Sequence, residues 1–184
     1  AGGRHKVFGS DVLRIPPQTS TIASHLPKAL GCAVSLDRRA YLEKRRESAI
    51  AVCTFGDASS NHSTSVGAIN AAAWASFQHV PAPVLFVCED NGLGISVRTP
   101  KNWIAANYQN RAGLQYFHAN GLDIRSAWDT ANQALDYVRT HRAPAFLHLS
   151  VVRLLGHAGS DVEMLYRTRQ EIETTEAADP LLRT

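Results

Sequence analysis

The sequence has no long apolar run and no sign of a secretory leader. Nowhere does it reach the ~18 consecutive apolar residues that a membrane-spanning helix needs. Its first residues do not show the charged, apolar and small-residue order of a signal peptide. We therefore expect neither a membrane protein nor a secreted one. Apolar residues still make up 45% of the 184 residues, which is enough to bury a core of ordinary size.

Cysteine and methionine are also scarce. The three cysteines, Cys32, Cys53 and Cys88, are odd in number and have no metal-type spacing. They are expected to be reduced thiols of a cytoplasmic protein. Met164 is the only methionine and the chain begins with Ala1, so we expect the chain to be a piece of a longer protein.

The net charge is small, and most of it comes from one segment. The formal net charge is +3, and the most highly charged segment, residues 37–47, mixes both signs. No series of aromatic residues interleaves with its arginines as base-stacking platforms, so no nucleic-acid partner is expected. The segment is predicted to be a solvated helix end within a single domain of residues 1–184.

Several stretches have the apolar character of buried strands. Residues 49–55 and 84–89 are nearly continuous in apolar and β-branched residues, which predicts strands buried on both faces. Residues 145–155 are a third candidate, and residues 122–125 are a weaker fourth.

Helical patterns separate these strands, at residues 24–46, 63–80 and 126–141. Ser126 and Asp129 hold capping-box positions at the start of the third pattern. Strands that alternate with helices of this length predict right-handed βαβ units. The predicted fold class is therefore α/β, with a parallel sheet and helices on both faces.

Polar residues follow two of the predicted strands where each strand ends. Asp57 comes just after the first strand, and Asp90, Asn91 and Gly92 come just after the second. Ligands of open parallel sheets bind beyond the carboxyl ends of the strands. Carboxylate and amide oxygens beside a helix N-terminus suit a Mg²⁺ ion that carries a diphosphate. Each motif is also common as a simple turn, so spacing alone leaves both interpretations open.

Four segments together resemble one family. The first two are "FGDASSNHSTSVGAINAAAW" and "LFVCEDNGLGIS", which resemble the thiamine diphosphate motif that starts Gly-Asp-Gly and ends Asn-Asn. The others are "VRLLGHAGSDVE" and "STIASHLPKALGCA". Taken in their order along the chain, these segments are similar to the α subunit, or the α half of a fused α/β chain, of the decarboxylating component of 2-oxo acid dehydrogenase complexes. Both the pyruvate and the branched-chain types are included. The resemblance implies the thiamine diphosphate-binding, Rossmann-like form of the fold.

The resemblance implies a role for each matching residue. Asp57, Asn91 and the backbone carbonyl of Leu93 would bind Mg²⁺. Ala58 and Ser59 would approach the diphosphate through backbone N–H groups.

Three more cofactor contacts and two catalytic residues follow from the same resemblance. Gly56 belongs to the cofactor-binding turn, and the backbone of Ile22 would meet the aminopyrimidine ring. His157 matches the family's active-site histidine near the cofactor, and Arg153 matches the arginine that precedes it. Both are predicted to be catalytic residues.

The sequence departs from the family pattern at several positions. Ala58 replaces the third glycine of the motif, and Asp90 replaces the first of the paired asparagines. Ala158 stands where mammalian members carry a regulatory serine, so that phosphorylation switch cannot operate. His25 replaces a glutamine of the potassium-holding segment, which leaves K⁺ binding undecided.

The resemblance also implies a reaction and partners. The cofactors would be thiamine diphosphate and Mg²⁺, and the reaction the oxidative decarboxylation of a 2-oxo acid with acyl transfer to a lipoyl-bearing acyltransferase. A β subunit or β half would supply the glutamate that starts the chemistry, so an oligomer is expected. The alternatives are another thiamin enzyme (transketolase-like or acetoin-cleaving) and a non-catalytic assembly module. A hydrolase built on Ser60, His157 and Asp161 is disfavoured, since the sequence has no Gly-x-Ser-x-Gly elbow.

Several residues also have purely structural interpretations. Ser160 and Glu163 hold capping-box positions, which predicts a helix that continues through Ile172. Asn61 and His62 either cap a helix or reach the reacting centre. The three tryptophans are interpreted as core or interface anchors: Trp74, Trp103 and Trp128. Five histidines are predicted to be surface or packing residues: His5, His79, His118, His141 and His148.

Overall fold

Helices and strands alternate along the chain. The structure is a computed structural model that describes residues 8–183, with side chains through residue 182. The strands are β1 (Ala51–Gly56), β2 (Val84–Asp90), β3 (Leu93–Gly94), β4 (Val97–Arg98), β5 (Gln115–Asn120) and β6 (Ala145–Ser150). The helices are α1 (His25–Leu42), α2 (Ser63–Phe77), α3 (Trp103–Tyr108), α4 (Ile124–His141), α5 (Arg169–Glu176) and α6 (Pro180–Arg183). Two 3-10 turns cover Ala58–Asn61 and Glu163–Leu165.

The main sheet has four strands in the order β1-β2-β6-β5, and every pair in it is parallel. The short strands β3 and β4 form a separate antiparallel pair. The register sets Gly56 beside Glu89 and Asp90 beside Ser150, so the carboxyl ends of the strands lie along one edge.

Helices cover both faces of the sheet. On one face Phe55, Phe86 and Phe146 pack in a cluster with residues of α1, α2 and α3. On the other face Leu85 and Leu147 pack in a second cluster with residues of α4. Successive side chains of a strand point to opposite faces, so a stretch buried on both sides must be apolar, as residues 84–88 of β2 are before the strand ends in Glu89 and Asp90. The predicted fold class is confirmed. In the described part of the chain, no helix has the length and apolarity needed to traverse a bilayer.

The weak strand prediction at residues 122–125 is wrong. The fourth strand of the sheet is β5, and α4 begins at Ile124. Asp123 caps α4, because its Oδ1 accepts the backbone N–H groups of Arg125 (3.0 Å) and Ser126 (3.2 Å). The capping box predicted for Ser126 and Asp129 is therefore also wrong.

The expectation that β1 is buried on both faces is wrong as well. β1 ends the strand order, and only one of its faces is covered; Val52 on the other face is 54% exposed. The three tryptophans are not core residues either, so that part of their interpretation is wrong. Trp74 and Trp128 are about two-thirds exposed, and Trp103 is 43% exposed.

The helix predicted to start at Ser160 begins later. Glu163 opens a 3-10 turn, and α5 starts after Thr168, whose hydroxyl accepts the Glu171 N–H at 3.2 Å. The Glu171 carboxylate in turn accepts the Thr168 N–H at 2.8 Å, which completes the capping box. Glu163 pairs instead with Arg167 at 2.8 Å.

Gly113 provides a test of the packing between α2 and the loop before β5. It has φ +75°, and a Cβ there would lie 2.1 Å from the Ala73 carbonyl oxygen. We expect Gly113→Ala to lower the free energy of unfolding of the full-length protein by about 2–4 kcal/mol, measured by urea denaturation. Gly31→Ala is the matched control, because Gly31 lies in α1 with open space around it. It should be neutral or slightly stabilising, and equal stabilities of the two variants would contradict the prediction.

Candidate functional site

Asp57 is a buried carboxylate at the carboxyl edge of the sheet. It follows β1 directly, and its N–H donates to the Glu89 carbonyl of β2 at 3.3 Å. Asp57 is only 3% exposed. The Thr99 hydroxyl donates to its Oδ2, whereas no ion pair to Asp57 occurs among the described residues.

The environment of Asp57 raises the pKa of its carboxyl group. Burial is the largest cause, and the nearby Asp90 adds to it. The Thr99 hydroxyl and the Asn91 backbone amide act in the opposite direction. A buried charge is normally paired or bound to a metal, so a carboxylate held here without a cationic partner fits a metal cation.

A tight turn follows β2 beside Asp57. Asp90 Oδ1 accepts the Gly92 N–H at 3.0 Å, and Asn91 Oδ1 accepts the Leu93 N–H at 2.9 Å. Gly92 has φ +72°, a left-handed conformation that glycine adopts without strain. The Thr99 N–H donates to the Gly92 carbonyl at 3.0 Å. Thr99 therefore connects this turn to Asp57.

Two neighbouring cavities adjoin this turn, and Arg98 is common to both. The first, of about 390 Å³, is lined by Asp57, Ala58, Asn61, Asp90, Gly94, Val97, Arg98, Thr99, Pro100, Trp103 and Ile104. The second, of about 410 Å³, is lined by Asn91, Leu93, Arg98, Arg167, Gln170, Glu171, Thr174 and Thr175. The predicted metal ligands thus lie on one turn and the adjacent strand end, with Asp57 in the first cavity and Asn91 and Leu93 in the second.

The donor set suits a hard cation with few protein ligands. The described residues contain no group of three or more histidine, cysteine, aspartate or glutamate side chains that could hold a metal ion. Mg²⁺ does not need such a group, because it is usually bound by one or two carboxylates together with phosphate oxygens and water. The residues present therefore fit Mg²⁺ delivered with a diphosphate.

The alanine at position 58 is accommodated by a glycine opposite. A Cβ placed on Gly94 would lie 2.9 Å from the Ala58 methyl group, so Gly94 leaves the space that the methyl takes. Hydroxyl groups hold the backbone on either side of Ala58. Ser60 Oγ donates to the Asp57 carbonyl and Ser65 Oγ to the Ser59 carbonyl, both at 2.6 Å.

The structure separates the roles of the next polar residues. His62 caps α2, because its Nδ1 accepts the Thr64 N–H at 3.2 Å. Asn61 lines the first cavity. Ser60 is completely buried with its hydroxyl bonded to the backbone, which agrees with the rejection of a hydrolase nucleophile at this position.

Arg153 lies inside the protein and connects three segments. Its guanidinium donates to the Ile95 carbonyl at 2.7 Å and to the Tyr166 hydroxyl oxygen at 2.6 Å. It also forms ion pairs with Glu163 (3.4 Å) and Asp161 (3.7 Å). These contacts join the segment after β6 to the segment between β3 and β4.

His157 stands on an exposed loop that Asp161 closes. Asp161 Oδ2 accepts the His157 N–H and the Tyr166 hydroxyl, each at 2.7 Å. The Tyr166 hydrogen bond and then the His157 amide lower the pKa of the Asp161 carboxyl group. A Cβ on Gly156 would lie 2.9 Å from the Asp161 carbonyl oxygen, so the loop closes tightly. The His157 side chain remains exposed.

Ile22 lies in the turn before α1 and is 59% exposed. It lines neither of the two cavities, so its contact with an aminopyrimidine stays a prediction. His25 Nε2 lies 2.9 Å from the Thr54 carbonyl oxygen, which ties the start of α1 to β1.

Two residues that contact the site, Thr99 and His148, were not identified from the sequence as site residues. The Thr99 hydroxyl donates a hydrogen bond to Asp57. His148 is only 6% exposed, and its ring nitrogens contact Tyr116 and Asp90. The surface-or-packing interpretation of His148 therefore missed its polar contacts. A histidine within the apolar run "AFLHLS" was the signal available in the sequence. His79, His118 and His141 are exposed as expected, and His5 lies outside the described residues.

The fold is similar to that of a solved structure. The transketolase from Leishmania mexicana has a similar structure, with a TM-score of 0.56 over 72% of this chain and 20% of that one. The sequence identity is 14%, so this likeness concerns the fold alone.

Sequence comparison identifies the family. Residues 1–184 match the dehydrogenase E1 component family, and the chain belongs to it. That family depends on thiamine diphosphate, typically with Mg²⁺ as the divalent metal. The resemblance stated from the four motifs is confirmed.

Curated relatives agree with this assignment. The α subunit of 2-oxoisovalerate dehydrogenase from Bacillus subtilis (strain 168) is 30% identical over 187 residues, which cover 99% of this chain and 53% of that protein. The mitochondrial 2-oxoisovalerate dehydrogenase subunit alpha 2 of Arabidopsis thaliana is 30% identical over 96% of this chain and 36% of its own length. A probable mitochondrial pyruvate dehydrogenase E1 component subunit alpha of Caenorhabditis elegans is 29% identical over 83% and 36%. The chain thus spans about half, or less, of the length of these relatives.

Asp161 should hold the backbone of the His157 loop. In the full-length protein, we expect Asp161→Ala to speed amide hydrogen exchange of residues 153–166 several-fold, because the His157 N–H loses its acceptor. Mass spectrometry of the peptides reports this directly. Glu173→Ala is the control, since Glu173 pairs with Arg169 on the exposed side of α5. Unchanged exchange in Asp161→Ala would contradict the assigned role.

Proposed function

We propose that the complete protein is the α-type component of a thiamine diphosphate-dependent 2-oxo acid dehydrogenase, of the branched-chain or pyruvate type. It decarboxylates a 2-oxo acid oxidatively and passes the acyl group to a lipoyl-bearing acyltransferase. One observation carries the proposal, namely the buried Asp57 carboxylate, without a cationic partner in the described chain, beside the Asp90–Gly92 turn. The family assignment narrows the cation and cofactor to those that the family uses.

The proposed metal ligands are Asp57, the Asn91 side-chain oxygen and the Leu93 carbonyl. Ala58 and Ser59, which open the 3-10 turn after Asp57, direct backbone N–H groups to the diphosphate. Gly56 permits the bend before them. The Leu93 N–H bond to Asn91 Oδ1 supports this assignment, because it orients the amide and leaves the oxygen a second lone pair.

His157 and Arg153 have different proposed roles. The bound cofactor supplies the electron sink for loss of carbon dioxide. The exposed imidazole of His157 moves a proton at one of its ring nitrogens near the reacting carbon. Arg153 is half-buried and contacts Ile95 and Tyr166, and it acts by positioning the His157 loop.

The proposed partners are a β subunit or β half, which completes the active site, and the lipoyl-bearing acyltransferase. E1 α subunits in general work with both. The exposed Trp74, Phe77 and Trp128 support an oligomer, since large exposed aromatic side chains are typical of interface anchors. The three free cysteines support a cytoplasmic location, and no membrane or nucleic-acid partner is proposed.

Asp57→Ala tests the metal site. In the full-length assembled protein, we expect it to weaken Mg²⁺-dependent binding of thiamine diphosphate by about 100-fold or more, because a metal ligand is lost and outer contacts alone are worth 10–100-fold. Isothermal titration calorimetry with and without Mg²⁺ measures the change. Asp136→Ala is the matched control, an exposed aspartate on α4, and should bind as the parent does.

The same titration, together with a turnover assay, separates the proposed function from the alternative functions. Normal binding by Asp57→Ala removes the metal assignment. Failure of the parent protein to bind thiamine diphosphate with Mg²⁺ indicates a non-catalytic assembly module. Binding without turnover of branched-chain 2-oxo acids or pyruvate indicates another thiamin enzyme.

His157→Ala tests the proton-transfer role. We expect the rate of 2-oxo acid decarboxylation by the assembled protein to fall by about 10²–10⁴-fold, with the affinity for thiamine diphosphate unchanged. Steady-state kinetics and calorimetry on one preparation give both values. His79→Ala is the control, because His79 is exposed at the end of α2. A variant that retains the parent rate rules out this role for His157.

A further inference from the structure

A chain of hydrogen bonds links the core to the candidate metal turn. The Tyr116 hydroxyl lies 2.6 Å from His148 Nδ1, and His148 Nε2 lies 2.9 Å from Asp90 Oδ2. His148 is 6% exposed and Tyr116 is half-buried. The three residues belong to β5, β6 and β2, so the chain crosses neighbouring strands of the sheet.

The directions of these bonds follow from the neutral tautomer of His148 that carries its proton on Nε2. An ionised carboxylate only accepts hydrogen bonds, so His148 Nε2 carries the proton that it donates to Asp90. His148 Nδ1 of that neutral tautomer then accepts the Tyr116 O–H. Burial raises the pKa of Tyr116 to about 12, so its hydroxyl keeps the proton that it donates. Each member of the chain thus has one defined role.

These bonds hold both oxygens of the Asp90 carboxylate. Oδ1 accepts the Gly92 N–H at 3.0 Å and Oδ2 accepts His148 Nε2. The Asp90 carbonyl also accepts the Val151 N–H at 2.8 Å, from the residue after β6. Asp90 is therefore fixed at three atoms, and Asn91 follows it directly.

Asp90 needs such a partner more than an asparagine would. It stands where the cofactor motif has the first of two asparagines, and it lines the same cavity as Asp57. Both carboxylates line the cavity of about 390 Å³. Without His148, Asp90 Oδ2 would lose its hydrogen-bond donor and could turn towards a cation itself.

We propose that Tyr116, His148 and Asp90 form a positioning triad that holds the Asp90–Leu93 turn in the shape needed for Mg²⁺ binding. None of the three is a metal ligand. His148 holds Oδ2 of the Asp90 carboxylate, so that this oxygen does not bind the cation, and Tyr116 keeps His148 in the donating tautomer. This inference rests on the proposed function, because it assigns the turn to a metal site.

His148→Leu and His148→Gln test the triad in the full-length assembled protein. Leucine removes the donor, whereas the glutamine amide can still donate to Asp90. We expect His148→Leu to weaken Mg²⁺ affinity at saturating thiamine diphosphate by about 10–100-fold, the usual effect of losing an outer contact. His148→Gln should remain within about 3-fold of the parent. Calorimetric titration of Mg²⁺ measures both values.

His118→Leu is the matched control. His118 lies beside His148 with ring centroids 4.8 Å apart and the rings tilted by 48°, but it bonds Ser150 rather than Asp90. It should bind Mg²⁺ as the parent does. Parent-like affinity in His148→Leu, or an equal loss in His148→Leu, His148→Gln and His118→Leu, overturns the triad.

Tyr116→Phe covers the case in which His148→Leu does not fold. It removes one hydroxyl and keeps the ring stacked near Phe146, and we expect a smaller loss of Mg²⁺ affinity, of several-fold. Parent-like affinity in this variant also overturns the triad. Thermal unfolding without cofactor reports whether each variant is folded.

Asp90→Asn completes a double-mutant cycle with His148→Leu. An amide at position 90 does not need the same donor, so His148→Leu should cost less Mg²⁺ affinity in that background. Equal costs in the two backgrounds contradict the pairing of His148 with Asp90. If Asp57→Ala binds Mg²⁺ and cofactor normally, the proposed function fails. If only the His148 and Tyr116 variants bind normally, the triad alone fails.

Discussion

The parallel pairing of β1 with β2 is the constraint on which the candidate site depends. It sets Gly56 beside Glu89, so the residues that follow the two strands meet without long loops. Asp57 then enters the interior, where ionisation is unfavourable. The Thr99 hydroxyl and the Asn91 amide reduce that cost, and a bound cation would remove most of the remainder. Burial of this one carboxylate links the fold to cofactor binding.

The core and the candidate site lie on the same face of β2 and β6, with the site at the carboxyl ends of these strands. Along β2, Phe86, Cys88 and Asp90 share a face, and the side chains change from apolar to charged as the strand reaches its carboxyl end. On β6, Phe146 precedes His148 on that face. Phe146 stacks on Tyr108 with ring centroids 4.4 Å apart. Aromatic packing in the core therefore determines where the polar atoms at the edge lie.

Local signals were enough to predict much of this arrangement. The continuous apolar run of β2 identified a buried central strand, and the small polar residues after β1 and β2 identified the turns. Residues 115–120 were missed because this strand, "QYFHAN", mixes polar and apolar residues and has a burial pattern to match. The contact of Thr99 with Asp57 spans 42 positions and that of His148 with Asp90 spans 58. Such contacts follow from the packing of whole elements, which no local pattern records. Binding of Mg²⁺ by Asp57, Asn91 and Leu93 stays a prediction.

The uncovered face of β1 has a practical consequence. β1 is an outer strand of the described sheet, and its sequence "AVCTFG" contains neither charge nor proline, the features that usually keep outer strands from pairing with other chains. His25 occupies one backbone acceptor there, the Thr54 carbonyl, while Val52 lies open to solvent. When these residues are produced on their own, we therefore expect aggregation through β1 rather than unfolding. A lysine in place of Val52 is the direct remedy.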